Sequence, residues 1–318
     1  MNKVLSIIIP SYNTEKYIVD CTKTMLNSQV NDDIEILIVN DGSKDNTGSI
    51  ADQLVEKYPN TVRHISKPNG GHGSAINRGI QEAIGTYARV IDGDDWVDRC
   101  SFIEYVNALK ACDEDVVLTE YDRVFEKDNS KVRSAIDLPE GVYSFNDYIK
   151  SSKFEIQLHN ATFKLSLLKK CRKIREHCFY VDQEYICYTY PYINQFRVIK
   201  LSVYQYRVGI NEQSMSKESM IRNRDMHMNV ILDLIDFYKS ESFTDSVKES
   251  LLHRISNMSR KQTDIYLLID DKTQGKNECL SFLNRLKEES KEVYKDMPGK
   301  RSFLFRIFPS LTYDLLRR

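Results

Sequence analysis

Over the first 120 residues the apolar positions switch repeatedly between two periods. Continuous apolar runs rich in β-branched residues occupy positions 4–9, 34–39, 87–91 and 116–119, with a weaker run at 62–66. Runs of that length without alternation fit strands buried on both faces. Between them, residues recur at helical spacing over 17–28, 47–58, 74–84 and 96–111, which predicts helices. Asn46 is the expected N-cap of the second helix. Strands and helices in alternation, joined by short loops, give right-handed βαβ units and a mostly parallel sheet. Ligands of such sheets bind outside the carboxyl ends of the strands. Those ends are Pro10-Ser11-Tyr12-Asn13, Asn40-Asp41-Gly42-Ser43 and Asp92-Gly93-Asp94-Asp95, and all three are expected to open onto one crevice.

From 122 to 217 the alternation fades. Aromatic-rich strands are predicted over 121–125 and 196–206, and helices over 146–153 and 164–170. From 218 to 296 the pattern is helical, with predicted helices over 220–239, 245–269 and 277–294. The expected fold class is α/β with a mostly parallel central sheet, followed by an α-helical region over 218–318.

With 318 residues, 41% apolar and 29% charged, the chain has enough material for a sizeable core. A net charge of −1 gives no global attraction to nucleic acid. The seven cysteines form no CxxC pair, which excludes a zinc ribbon and a thioredoxin-like motif. Scattered cysteines without a secretion signal point to a reducing cytoplasm. No window reaches about 18 uninterrupted apolar residues, so no membrane-spanning helix is expected.

Residues 300–318 mix Phe303, Leu304, Phe305, Ile307, Phe308, Leu311, Leu315 and Leu316 with Lys300, Arg301, Arg306, Arg317 and Arg318. Two readings stay open. One is a basic amphipathic segment on the inner, anionic face of a membrane. The other is a helix docked on its own protein or on a second subunit of a homo-oligomer.

The strand ends carry the unusual chemistry. Three carboxylates within four residues, Asp92, Asp94 and Asp95, repel one another unless positive charge sits among them. A hard divalent cation with oxygen ligands answers that need, and a solvated acidic turn is the bland alternative. Asp41 stands one residue past a buried strand, where a carboxylate can accept from a base or a ribose hydroxyl. Residues 69–79 form a glycine-rich entry to a helix. This segment lacks the third glycine of a dinucleotide fingerprint and the Gly-Lys-Ser/Thr of a P-loop. Its glycines serve either a ligand at the helix start or a structural turn.

Together these segments resemble family 2 glycosyltransferases, the inverting group with the GT-A fold. The resemblance rests on Ser6-Ile7-Ile8-Ile9-Pro10-Ser11-Tyr12-Asn13, Ile38-Val39-Asn40-Asp41-Gly42-Ser43-Lys44-Asp45, Asn69-x-Gly71 to Asn77-x-Gly79, and the DxD motif Asp92-Gly93-Asp94-Asp95. Order and spacing agree across roughly residues 4–120. The resemblance implies a GT-A catalytic domain over 1–217, with a nucleotide-sugar half at 1–120 and an acceptor half at 121–217. It implies a UDP- or similar nucleotide-sugar donor, a Mn²⁺ or Mg²⁺ ion, and a saccharide or lipid-linked acceptor in bacterial surface polysaccharide synthesis. It assigns Pro10, Tyr12, Asn13, Asp41, Gly71, Asn77 and Asp92 to the nucleotide-sugar. Asp94 serves both donor and metal, with Asp95 as a second metal ligand.

Direct inversion needs one general base on the acceptor side. Phe179-Tyr180-Val181-Asp182 is similar to the segment where many family members carry Glu-Asp, so Asp182 is the expected base and Glu184 the weaker alternative. The alternative for Asp182 is N-capping of a helix over 183–190. Tyr204-x-Tyr206-Arg207 and Gln213-Ser214-x-Ser216 resemble a pattern of the capsule and exopolysaccharide branch. That pattern makes Arg207 a diphosphate clamp, and Gln213, Ser214 and Ser216 a lid. For the six histidines, His72 and His159 included, structural roles are expected. A sugar nucleotidyltransferase is disfavoured because the first strand is not followed by a Gly-rich loop with Arg and Lys. An inactive nucleotide-sugar-binding or assembly protein is disfavoured by the intact DxD and by Asp182.

Overall fold

Every residue of β1 (Leu5–Ser11) and β2 (Ile34–Asn40) is buried, as expected of central parallel strands covered on both faces. The computed structural model describes residues 3–151, 155–209 and 216–317. The chain divides into two compact units, Met1–Ile210 and Asn211–Arg318.

In the first unit the predicted alternation holds as far as the acidic loop. Helix α1 (Ile18–Met25) follows β1, and α2 (Thr47–Lys57), β3 (Val62–Ser66), α3 (His72–Glu82) and β4 (Tyr87–Val90) follow β2. These four strands are parallel, in the order β3-β2-β1-β4. Two buried polar side chains lock the sheet: Ser6 Oγ donates to Glu35 Oε1 (2.5 Å), and Arg63 pairs with Glu35 Oε2 (3.0 Å). Asn46 occupies the N-cap position of α2 but makes no cap bond; Thr47 N donates instead to Asp45 Oδ1 (3.0 Å).

Beyond the acidic loop the structure departs from the predicted elements. The helix expected over 96–111 gives up its first residues to β5 (Trp96–Val97), which pairs antiparallel with Tyr204 and Gln205. Helix α4 (Arg99–Leu109) then starts at Asp98, whose Oδ1 accepts from Ser101 N (3.0 Å). The two short stretches at 116–119 and 121–125 are one strand, β6 (Val116–Phe125), which pairs with an exposed β7 (Lys131–Ser134). After β8 (Gly141–Ser144) and α5 (Phe145–Tyr148) comes β9 (Ala161–Lys164), which lies antiparallel between β4 and β6. With four residues, β9 is too short for its period to show in sequence, and α6 (Leu165–Leu168) follows at once. Helix α7 (Asp182–Cys187) precedes β10 (Gln195–Val208), which runs parallel to β6 and completes the path β3-β2-β1-β4-β9-β6-β10-β5.

The second unit contains α8 (Lys217–Arg222), α9 (Arg224–Ser240), α10 (Asp245–Leu268), α11 (Lys272–Glu289), α12 (Lys291–Asp296), α13 (Gly299–Ile307) and α14 (Pro309–Leu316). Its interior includes Leu234, Leu251, Ile255, Phe282 and Leu286. A polar pair is buried with them, His227 Nδ1 and Gln262 Oε1, 2.6 Å apart.

Candidate active site

The acidic loop is fixed by residues from both halves of the first unit. Asp95 N donates to Asp92 O (3.0 Å), closing a turn. From β10, Tyr204 Oη donates to Asp95 Oδ2 (2.6 Å) and accepts from Asp92 N (3.2 Å). The backbone N of Arg207 donates to Asp95 Oδ1 (2.7 Å), and its Nε donates to Asp94 O (2.8 Å). The Arg207 guanidinium lies against the rings of Tyr17 and Trp96, 4.8 and 4.6 Å from their centroids. Arg207 therefore braces the loop backbone, a role the sequence did not disclose.

Across the loop, His72 Nε2 lies 2.8 Å from Asp92 Oδ1. Burial opposes charge on both groups, but their mutual attraction prevails. Asp92 is held below the ordinary carboxylate value, and His72, with Asp182 and Asp94 also acting on it, is held above the ordinary imidazole value. The other two acids go the opposite way. Burial, then the Asp92 charge, pushes Asp94 up to about 6. Burial, then Asp94 and Asp92, pushes Asp95 well above its ordinary value. Three crowded carboxylates that resist joint ionisation are a donor set suited to a hard divalent cation.

Among the described residues, ligand atoms of Asp92, Asp95 and His159 lie within 4.8 Å of one another. Asp94, the first metal ligand expected from sequence, stands outside that group. His159 sits in an aromatic cluster, with ring centroids 4.4 Å from Tyr206, 5.0 Å from Tyr204 and 5.3 Å from Tyr121. Burial lowers its imidazole to about 4, so it stays neutral and able to ligate. Its backbone carbonyl accepts from Arg89 Nη2 (2.6 Å), while Arg89 Nη1 donates to Thr119 Oγ1 (3.1 Å). Arg89 is fully buried, and its Nε has no hydrogen-bond partner. The sequence signal was a charged residue in the middle of an apolar strand.

The first two strand ends meet as expected. Asn13, at φ 54°, donates its N–H to Ser43 Oγ (3.0 Å) and accepts from Lys44 N at Oδ1 (2.9 Å). Pro10 is buried in β1 and Tyr12 is exposed. Asp41 is buried and already engaged. Its Oδ1 accepts from Lys67 Nζ (2.5 Å) and Gly70 N (2.9 Å), and its Oδ2 accepts from Gly71 N (2.7 Å). It thus holds the glycine-rich loop before it meets any ligand.

That loop in turn holds the segment leading to Asp182. Gly71 adopts φ 83°, and a Cβ there would lie 3.2 Å from the backbone of His177. At Gly73 a Cβ would lie 2.3 Å from Arg175 O. The Asn77 amide is engaged at both ends by Ile174, donating to its O (2.8 Å) and accepting from its N (3.0 Å). The structure gives these residues a close backbone approach between α3 and residues 174–178.

Two non-glycine residues of this segment have positive φ, His177 (52°) and Tyr180 (65°), a strained path for a bulky side chain. It delivers Asp182 to the first turn of α7. The N-cap position there is Val181, and Asp182 is the first residue of the helix. Gln183 Nε2 donates to Asp182 Oδ2 (2.7 Å). Glu184 is buried and accepts from Arg175 N at Oε2 (2.7 Å), a structural position. Gln213 and Ser214 lie outside the described residues; Ser216 caps α8, accepting from Ser219 N (3.2 Å).

The family model for glycosyl transferase family 2 matches residues 6–172, more than half of the chain. The chain belongs to glycosyl transferase family 2. The match ends before α7 and β10, so Asp182, Tyr204 and Arg207 lie beyond it. The Bacillus subtilis protein described as uncharacterized glycosyltransferase EpsJ is 42% identical over 102 residues, which are 32% of this chain and 29% of that one. Glycosyltransferase GlyG of Streptococcus pneumoniae is 37% identical over 131 residues, 41% of this chain and 43% of that one. The chain thus spans less than half the length of these two relatives. In fold it resembles residues 1–349 of S. aureus TarS, solved in complex with UDP-GlcNAc, at TM-score 0.73 and 18% identity, over 99% of this chain and 90% of that one. This is the GT-A architecture with a C-terminal helical region.

Proposed function

We propose that the protein is an inverting glycosyltransferase that moves a hexosyl or N-acetylhexosaminyl group from a nucleotide-sugar to a saccharide or lipid-linked acceptor in bacterial surface polysaccharide synthesis. The observation that carries this reading is the bridge from the acidic loop to the base segment. His72 at the start of α3 contacts Asp92, and the same helix start packs against residues 174–178, which lead to Asp182, so the expected donor and acceptor sides share one element. Family membership supports sugar transfer, and the UDP-GlcNAc held by TarS supports a uridine-diphosphate sugar as the first donor to test.

In this reading Asp182 accepts the proton of the acceptor hydroxyl. The hydroxyl oxygen bonds to the anomeric carbon as the bond from that carbon to the diphosphate oxygen breaks, inverting the centre. Asp95 belongs both to the sequence pair Asp94/Asp95 and to the spatial group with Asp92 and His159, and is the first residue assigned to a Mn²⁺ or Mg²⁺ ion; Asp94 is the second. A bound divalent cation stabilises the charge developing on the diphosphate leaving group. Arg207 holds the acidic loop in place, and Tyr12, exposed at the end of β1, is assigned to the nucleoside with Pro10 and Asn13.

Thermal shift with a panel of nucleotide-sugars, with and without Mn²⁺, tests the reading. A cognate donor at a hundredfold excess over its Kd adds about 2.7 kcal/mol, and product analysis then reports transfer. Absence of both stabilisation and turnover across the panel overturns it.

A further inference from the structure

We propose that α13 and α14 form a docking face for an anionic lipid surface, an interaction that lies beyond the sugar-transfer reading and does not depend on it. Of the twelve large hydrophobic side chains exposed among the described residues, seven fall in these two short helices or at Phe308 between them: Phe303, Leu304, Ile307, Phe308, Leu311, Leu315 and Leu316. The other five, Tyr12, Ile84, Val132, Val142 and Phe179, are scattered singly along the chain. A concentration of this kind marks an interaction surface.

The helices are themselves well anchored, so the exposure is not that of a frayed end. Ser302 and Phe305 of α13 and Thr312 and Tyr313 of α14 are buried. Tyr313 Oη donates to Tyr266 O (3.0 Å) and sits where a side chain at Gly275 would collide with it. Arg306 Nη1 donates to Met297 O (2.9 Å). Of the two readings left open by the sequence, docking on the protein's own unit therefore accounts for one side of the pair and leaves the other uncovered.

Charge selects the occupant. Residues 299–318 carry five basic side chains against one acid, Asp314, and that acid is paired with Lys276 (2.6 Å). Lys300 and Arg301 are exposed at the start of α13, Arg301 lying 3.6 Å from Asp264, an acid it shares with Arg260. A symmetric pairing of two copies through this face would set like charges against each other. A leaflet with anionic headgroups supplies an apolar layer for the seven side chains and counter-charges for the basic ones. None of the described helices is long and apolar enough to cross a membrane, so the contact lies in the surface plane.

Vesicle co-sedimentation of the full chain tests this without any need for turnover, so it stands or falls apart from the proposed activity. Phosphatidylcholine vesicles containing phosphatidylglycerol are expected to carry the protein down about tenfold more than phosphatidylcholine alone, less so at high salt. The exposed-face variant Phe303→Ser/Ile307→Ser/Leu311→Ser is expected to stay in the supernatant with an unchanged melting curve. The variant Lys300→Glu/Arg301→Glu is expected to lose the preference for the anionic vesicles. Equal partition into both vesicle types, or none into either, overturns the proposal. So does a dimer, seen in sedimentation velocity, that the triple variant dissolves, because the face then belongs to a second copy.

Discussion

His72 Nε2 lies 2.8 Å from Asp92 Oδ1, and this one contact joins the first turn of α3 to the acidic loop. Because the charge of Asp182 also reaches His72, removing that charge tests whether the two sides work together. Asp182→Asn is expected to lower transfer about 10²–10⁴-fold, the usual worth of a general base. Donor-induced thermal stabilisation should remain. Transfer near the unsubstituted rate would remove Asp182 from the base role.

Gly73 faces Arg175 O so closely that no side chain fits between them. Gly73→Ala must displace the segment that leads to Asp182. An overpacking cost of about 1–3 kcal/mol is expected in denaturant unfolding, with transfer lost beyond what stability explains. An unchanged unfolding midpoint would mean the loop yields freely.

Arg89 presents a balance of two magnitudes. A buried ion costs several kcal/mol in desolvation, whereas leaving the His159 carbonyl unpaired costs about 1–3 kcal/mol. Arg89→Met is therefore expected to keep or raise the melting temperature while lowering turnover, since the carbonyl that fixes His159 loses its donor. A large fall in melting temperature would instead place Arg89 among the residues that hold the core.

Burial lowers His227 to about 4, against about 6.5 in the unfolded chain. The unfolded state binds the proton more readily, so this contribution to stability is complete above about pH 6.5 and is lost as the pH falls toward 4. Melting temperatures between those limits should decline less steeply in His227→Gln than in the original chain. Parallel curves would assign the acid limb to other groups.

The sequence disclosed the first half of the molecule better than the second, for a physical reason. Parallel strands buried on both faces, such as β1 and β2, leave unbroken apolar runs that announce themselves. β9 has four residues and β5 has two, and their places in the sheet are set by partners far along the chain. The meeting of the first two strand ends was foreseen. The brace of Tyr204 and Arg207 on Asp95 was not, because it depends on the register of β10 against β5 and β6. Asn77 and the glycines were singled out as places of close approach, but the backbone they approach, residues 174–178, lies about a hundred positions on and leaves no local signal.

The long reach of β10 makes the acidic motif a composite object. Four consecutive residues carry its signature, yet both oxygens of Asp95 are held by donors from about 110 positions downstream. Transplanting the four residues, or trimming the chain before Gln195, would carry over the letters without the grip that orients them. Relatives can therefore keep the same four letters and still differ in how firmly they are clasped. Drift within β10 is a route by which this chain's descendants could retune the site while its most recognisable motif stays unchanged.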